Sequence, residues 1–363
     1  MKNSFGNNVC VTLFGESHGE CVGAVIDGMA AGIIIDKSFI AERLSLRSPS
    51  NDYSTSRCET DDFIIQSGVF NGRTTGAPIC IIIPNKDINS SDYEKNRYIA
   101  RPGHADYSAY VKYNGFEDYR GGGHLSGRIT AALTAAGSVA AAALKNKNIY
   151  IGTHILRCGG ISDRGFGDFA QDIEKLNSLK FAVLDDSAKE KMLAEIERVH
   201  SKGDSLGALL ETAVIGLPAG IGEPWFDSVE SVISHILFSV PAVKGVEFGD
   251  GFDFVNGTGS TLNDSFYTEN GKILTETNHN GGINGGISNG MPIIVKCALK
   301  PAPSISAVQN TVDFNNVQNT VISSSGRHDS FFADRARIVI DSCVALALCD
   351  LLSQKFGTDF FEG

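Results

Sequence analysis

No apolar run in this sequence approaches the roughly 20 residues that a membrane-spanning helix requires. The first residues, MKNSFGNNVCVTLFGESHG, lack a long apolar segment and a small-residue cleavage site, so no signal peptide is expected. The expectation is a soluble, cytoplasmic protein. Positive charge is also short: 31 Lys and Arg against 42 Asp and Glu leave a formal net charge of -11. A general nucleic-acid binder needs a positive footprint, so that class is set aside. An anionic small molecule is not, because salt screens exposed charges over about 8 Å and a local cationic cluster can outweigh the global sign.

The eight cysteines (Cys10, Cys21, Cys58, Cys80, Cys158, Cys297, Cys343 and Cys349) form no C-x-x-C pair and do not cluster with histidine. Several lie in apolar runs, as Cys80 does between Pro78 and Pro84, which points to reduced core thiols. The eight histidines are scattered singly, with no H-x-x-x-H spacing, so no metal site is expected. His154, His200, His235 and His279 read as structural or surface residues. Sequence repeats and an obvious linker are missing too, which favours one domain over residues 1–363.

What is present is a large apolar fraction, 42%, and 40 glycines. A chain of this length can bury a sizeable core, and so many glycines imply many turns and close backbone approaches. The chemistry concentrates between Arg101 and Thr130. That stretch opens on Arg101-Pro102-Gly103-His104-Ala105-Asp106 and closes on Gly121-Gly122-Gly123-His124-Leu125-Ser126-Gly127-Arg128. Behind it, Ala131 to Leu144 has strong helix propensity and almost no polar side chain, so a buried helix is predicted. Its N-terminus beneath a glycine-rich loop and two arginines would make an anion site, from unpaired N–H groups and the helix dipole. A glycine-rich turn that merely caps a core helix is the structural alternative.

Other segments add to this. Val9 to Phe14 and Cys21 to Asp27 read as strands separated by Gly15-Glu16-Ser17-His18-Gly19, a tight turn presenting a serine and a histidine. Asp36 can cap a helix running through Arg43 and Leu44 and ending before Pro49. Arg43 to Arg57 then reads as a loop carrying Arg43, Arg47 and Arg57. Phe63 to Gln66 and Ile79 to Ile83 look like strands, and Lys86 to Arg97 is a polar surface excursion. Further strands are expected near Ile149 to Leu156, Gly207 to Leu217, and Ile293 to Leu299. Met192, Leu193, Ile196 and Val199 share one face of a surface helix, and Asp227-Ser228-Val229-Glu230 reads as a cap for an amphipathic helix reaching Val240. Ala242 to Gly251 and Asn280 to Gly290 are glycine-rich. The second is too irregular for a dinucleotide fingerprint. A polar Asn/Gln/Ser loop leads to Gly326-Arg327-His328-Asp329, and a last helix is expected from about Asp334 to Ser353. Strands and helices interleave without regular βα units, so the fold class is α+β.

Taken in order, Gly15-Glu16-Ser17-His18-Gly19, Arg101 to Asp106, Tyr119-Arg120-Gly121-Gly122-Gly123, the run NGGINGGISNG with Lys300-Pro301, and Gly326 to Asp329 resemble the chorismate synthase family. The likeness runs from the N-terminus to the final helix. It implies a β-α-β sandwich with helices packed between antiparallel sheets, usually as a homotetramer. The implied activity is a lyase reaction of the shikimate pathway, in aromatic amino acid biosynthesis. It converts 5-enolpyruvylshikimate 3-phosphate to chorismate by an anti-1,4-elimination that requires reduced FMN without net redox change. NADPH or a separate flavin reductase would supply the reducing equivalents.

The residue types suit that chemistry. A phosphate and two carboxylates call for fixed cations, and Arg47, Arg101, Arg128 and Arg327 are the candidates, with Ser17 beside them. A histidine with a reference pKa near 6.5 suits protonation of a leaving phosphate. By resemblance His18 is that acid, His104 sits by the flavin ring, and Asp329 helps flavin N5 accept the ring proton. By resemblance, too, the flavin and its phosphate are lined by His124, Leu125, Ser126, Pro241, Ala242, Gly285, Lys300, Pro301, Ala302, Pro303, Ser304 and Arg327. Glu16 and Asp106 are expected to satisfy neighbouring backbone or arginine groups. In two places the chain departs from the family pattern. Arg47-Ser48-Pro49-Ser50 stands where many members read RRPG, and His124 replaces a common arginine. Two other readings use the same motifs: a metal-independent phosphomonoester hydrolase with a His/Arg phosphate site, and a non-catalytic anion-binding module.

Overall fold

The computed structural model describes residues 2–49, 60–86, 91–323 and 329–362, the side chains of Ser91 and Asp92 excepted. Apolar residues on every second position make the strands. β1 (Ser4–Phe5), β2 (Cys10–Gly15), β3 (Cys21–Asp27) and β4 (Ile64–Ile65) lead to a two-stranded hairpin, β5 (Val69–Phe70) and β6 (Arg73–Thr74), then β7 (Ile79–Pro84). The first sheet runs β1-β2-β3-β7-β4, antiparallel throughout, with Cys21 opposite Pro84 and Ile26 opposite Ile79. A second antiparallel sheet holds β8 (Tyr150–Cys158), β9 (Ile161–Ser162), β10 (Ala208–Ile215), β11 (Val243–Phe248) and, after two small hairpins, β16 (Ile293–Leu299). Those hairpins are β12 (Phe266–Glu269) with β13 (Lys272–Thr275), and β14 (Ile283–Asn284) with β15 (Ile287–Ser288).

Helices fill the space between the sheets. α1 (Lys37–Arg47) is capped by Asp36, whose carboxylate accepts from the N–H groups of Ser38 and Phe39. α2 (Ser91–Lys95) and α3 (Asp106–Tyr113) are short. α4 (Thr130–Lys145) is the expected alanine-rich helix and lies on β3 and β7. α5 (Phe169–Ser178) packs on β8, and α6 (Asp186–His200) buries Met192, Ile196 and Val199. α7 (Val229–Leu237) and the single turn α8 (Gly259–Leu262) precede α9 (Ala333–Phe356), which lies on β8 and β10 and is buried for most of its length. The arrangement is the α+β sandwich expected, helices between antiparallel sheets.

The two central helices meet almost backbone to backbone. A Cβ added at Gly137 of α4 would lie 2.3 Å from Ser342 Cβ and 2.6 Å from Ser342 Cα on α9. Farther along, Cys349 donates its thiol hydrogen to the Ala140 carbonyl at 3.5 Å, so both helices run in the same direction. Small residues permit this approach, and tight packing makes it sensitive to one methyl group. Gly127–Lys145 is long and apolar enough to cross a membrane by composition, which the reading of apolar runs did not anticipate. Most of it is buried inside the protein, as a core helix is.

Several expectations are corrected. The helix expected through Arg43 and Leu44 and ending before Pro49 is α1, which reaches Arg47; the loop expected from Arg43 therefore starts later, and residues 50–59, with Arg57, lie outside the described residues. Arg43 points into the helix layer, where its Nε donates to Ser138 Oγ at 3.2 Å and its Nη2 to Ser342 Oγ at 3.3 Å. The polar loop after Lys300 contains a hairpin, β17 (Gln309–Asp313) and β18 (Gln318–Ile322). Ala242 to Gly251 contains a strand, and the polar excursion contains α2. The cap of α7 is Ser228, which accepts from Ser231 N, rather than Asp227. The seven described cysteines are free, and burial pushes the Cys158 and Cys297 thiols up to about 12, as inert core thiols should be.

His154, on β8, is fully buried between two carboxylates: Nδ1 lies 2.8 Å from Asp163 Oδ2 and Nε2 lies 3.0 Å from Glu211 Oε2. Burial opposes the charged ring, but the hydrogen bonds and charges of both acids outweigh it and hold its pKa above the ordinary value. Such a group stabilises the fold fully below the ordinary histidine pKa and loses that contribution as pH rises through the raised one. Two predictions follow from this packing. Gly137→Ala forces α4 and α9 apart and lowers the unfolding free energy by about 3 kcal/mol in urea titration. His154→Gln costs about 3–5 kcal/mol at pH 6, and the deficit shrinks steadily toward pH 9; a pH-independent deficit would contradict the charged assignment.

Candidate active site

Both central helices deliver their N-terminal turns to one cavity of about 2000 Å³. Ile129, Thr130 and Leu133 line it from α4, and Phe332, Arg335, Ala336 and Val339 from α9. The positive ends of two helix dipoles thus face the same space. The rest of the wall comes from distant segments: the β2–β3 turn, the end of α1, residues 93–106, the glycine loop, the stretch after α7, and residues 300–304.

His18 stands in the turn after β2, mostly buried, with its ring edge-on to Tyr93 at 5.3 Å between centroids. The glycine loop packs on its other side. Gly121, Gly122 and Gly123 have φ of +59°, +81° and +53°, a left-handed path that side chains resist. A Cβ at Gly121 would fall 2.6 Å from His18 Nε2 and 2.9 Å from Ser17 Oγ. The Gly123 carbonyl accepts from Ser17 N at 3.0 Å, so the two loops are tied together. His124 Nδ1 donates to the Gly15 carbonyl at 2.8 Å, which leaves Nε2 as the basic ring nitrogen. Ser126 starts the next turn, its Oγ accepting from Arg128 N at 3.3 Å.

Several arginines of the wall come with acids. Arg101 makes a two-point pair with Asp106, Nε to Oδ2 at 2.8 Å and Nη2 to Oδ1 at 2.7 Å. Burial works against ionised Asp106, but Arg101 outweighs it and holds the carboxyl below the usual range. Asp106 thereby takes the arginine-satisfying place expected of it. Arg335 Nη2 lies 2.5 Å from Asp329 Oδ1, and Arg120, itself not a lining residue, pairs with Asp118 of the wall. Arg47 and Arg128 share Asp61: Arg47 Nη1 meets Oδ2 at 2.9 Å and Arg128 Nη1 meets Oδ1. Burial pushes the Arg47 pKa down to about 10 despite Asp61, and Arg128 and Arg335 add to the lowering.

On the opposite wall His104 Nε2 and Ser304 Oγ are 2.6 Å apart, and Lys300 Nζ donates to the Gly103 carbonyl. Gly103, at φ +72°, lets the backbone reach Pro303, where a Cβ would come within 2.9 Å. Ala242 is held at φ +77°, a strained conformation for alanine, and its carbonyl accepts from Lys300 N at 3.0 Å. Burial and Lys244 together lower the Lys300 pKa.

Of the residues singled out from sequence, His18, His104, His124, Leu125, Ser126, Arg47, Arg101, Arg128, Pro241, Ala242, Lys300, Ala302, Pro303, Ser304 and Asp329 line this one cavity. Ser17 is fully buried directly behind it. Pro301 and Gly285 are not among the lining residues; Gly285 sits in the turn between β14 and β15. Arg327 lies outside the described residues. Asp61, Tyr93 and Arg335 line the cavity without having been anticipated. Arg335 could have been found as a cation in the first turn of the expected last helix. Asp61 carried no such signal.

The comparisons with known proteins agree on a family. A family model described as chorismate synthase matches residues 9–352. A protein of Thermococcus kodakarensis named chorismate synthase is 41% identical over 350 residues, covering 96% of this chain and 97% of its own. One of Dehalococcoides mccartyi with the same name is 43% identical over 354 residues, covering 97% and 96%. A solved structure titled as the crystal structure of chorismate synthase superposes with a TM-score of 0.76 at 26% identity, covering 97% of this chain and 94% of its own.

The contact between the glycine loop and the histidine yields a direct test. Gly121→Ala should displace the His18 ring, shifting its imidazole NMR resonances, and cost about 1–2 kcal/mol from the left-handed backbone alone. Unchanged His18 resonances would show that the loop does not set the ring position.

Proposed function

This chain belongs to the chorismate synthase family, and on that premise we propose that it converts 5-enolpyruvylshikimate 3-phosphate to chorismate and phosphate. We take residues 1–363 as one domain acting in a cytoplasmic homotetramer, with reduced FMN as cofactor. The observation that carries the reading is the meeting of His18, His104 and the arginine bank in one cavity. Its volume of about 2000 Å³ exceeds the roughly 300–1,000 Å³ of a pocket for one small ligand, so substrate and flavin have room side by side.

The donor set suits both. Lys300, Ser126, Ser304 and two imidazoles can hold a flavin and its phosphate, and Ala302, Pro303, Pro241 and Ala242 offer apolar wall for the ring. Reduced FMN, when bound, supplies the electron density that lets the C–O bond to phosphate break with no net redox change. The chain's own groups do the rest. Arg47, Arg128 and Arg101, with Arg327, hold the phosphate and two carboxylates against two helix N-termini. His18 gives its proton to the oxygen of the departing phosphate, and the backing of Gly121 and Tyr93 fixes the direction of that transfer. His104, aligned by Ser304, places a cationic or donor group against the reduced ring. Asp329, held by Arg335, would help N5 of a bound reduced flavin accept the ring proton that leaves as the new double bond forms.

The test is an anaerobic assay for chorismate from the phosphorylated enolpyruvyl substrate with and without photoreduced FMN. Chorismate should form only with reduced flavin. Phosphate release in air without flavin and without chorismate would favour a hydrolase instead. Replacing photoreduced FMN by oxidised FMN plus NADPH separates an intrinsic reductase from dependence on an outside one. His18→Ala should retain flavin binding while turnover falls by about 10²–10⁴; near-normal turnover would remove His18 from the mechanism.

A further inference from the structure

Asp61 is a carboxylate of the cavity wall shared by two arginines. Its side chain is only 2% exposed, and its backbone sits at φ +51°, where a residue other than glycine is uncommon. Each oxygen meets a different guanidinium. Oδ2 pairs with Arg47, the last residue of α1, at 2.9 Å, and Oδ1 pairs with Arg128, from the turn ahead of α4. Both arginines are also anchored elsewhere. Arg47 donates to Thr130 Oγ1 at 2.9 Å and to the Gly127 carbonyl at 3.1 Å, and Arg128 Nε donates to Asn85 Oδ1 at 2.9 Å. Two buried guanidiniums this close repel each other, and the carboxylate between them offsets that repulsion while fixing their separation.

We propose that Asp61 is a specificity-determining positioning residue: it spaces Arg47 and Arg128 and acts as a resident counter-anion, so that the pocket prefers the polyanionic substrate over inorganic phosphate. The proposal deepens the functional reading above and rests on it for the identity of the substrate. Specificity is a difference of affinities, and here the difference has a clear origin. With Asp61 present the pair carries one net positive charge, a weak trap for a small dianion. A substrate with a phosphate and two carboxylates recruits further cations across the cavity, Arg101 and Arg335 among them, so it depends less on the bare charge of the pair and more on its alignment. Phosphate is also the product of the proposed reaction, and a pocket that trapped it would stall.

Asp61→Asn tests this because asparagine keeps the shape and tolerates the left-handed backbone. A pure charge effect would tighten every anion, the substrate most. A loss of structure would weaken both. The proposal expects opposite movements: the inhibition constant of inorganic phosphate falls by about tenfold, one factor of ten in affinity, while KM for the substrate rises. Phosphate binding is also read without turnover, as the rise in Tm on adding phosphate, so absence of chorismate synthesis in the wild type would sink the functional reading while leaving this measurement intact. Asp62→Asn, at an exposed neighbour paired with Lys86, is the control and should change neither constant. Asp61→Glu keeps the charge and shifts the spacing; phosphate affinity should stay at the wild-type value and KM should rise. The idea is overturned if phosphate affinity in a folded Asp61→Asn protein is unchanged or weaker, or if both constants move the same way. If Asp61→Asn does not fold, the glutamate variant decides: an unchanged KM, or tighter phosphate, overturns it.

Discussion

The approach of Gly137 to Ser342 is the constraint from which the rest of this structure follows. Helices usually pack with axes 8–10 Å apart, and only a glycine against a serine backbone lets two of them come this close. The contact sets the separation of the two sheets, because α4 lies on one and α9 on the other. Since the helices run in the same direction, it also brings both N-termini to one end. That end is the cavity, with the glycine loop on one helix and Asp329 and Arg335 leading into the other. A packing decision in the core thus becomes an electrostatic property of the site.

The site then resolves a contradiction in the charge balance. A chain of net charge -11 gathers Arg47, Arg101, Arg128, Arg335 and Lys300 around one cavity. Arg101, Arg120 and Arg335 each lie against an acid, and Arg47 and Arg128 share one. Partnering keeps buried guanidiniums affordable and points their donors in fixed directions. On the other wall His104 and Lys300 are held by Ser304 and Gly103, and the strain at Ala242 is balanced by its hydrogen bond to Lys300.

Much of this was legible in the sequence, for reasons that also explain what was not. Ala131 to Leu144 announced a buried helix because nothing in it could face water, and Ile293 to Leu299 announced a strand by strict alternation. The motifs converge on one cavity because each joins a residue with chemistry to the glycines that let backbone approach it. The β17–β18 hairpin stayed hidden because its strands are polar and largely exposed, with no apolar face to betray them. The partners of Arg43 were not legible, because nothing in its neighbours tells that two serines, on α4 and α9, await its guanidinium. Asp61 was invisible for a similar reason: its meaning lies in two arginines 14 and 67 positions away. Local pattern reports which face is buried, while long-range polar pairing appears only in the folded chain.

The central claim, that distant segments form one pocket holding a reduced flavin against a phosphorylated acid, is tested most directly by a crystal structure of the protein with FMN and 5-enolpyruvylshikimate 3-phosphate bound together. The account predicts the flavin ring along the His104–Ser304 wall and the substrate phosphate beside Arg47 and Arg128, with His18 within hydrogen-bond reach of the phosphate ester oxygen. Flavin and substrate in separate pockets, or a substrate phosphate remote from His18 and both arginines, would contradict it.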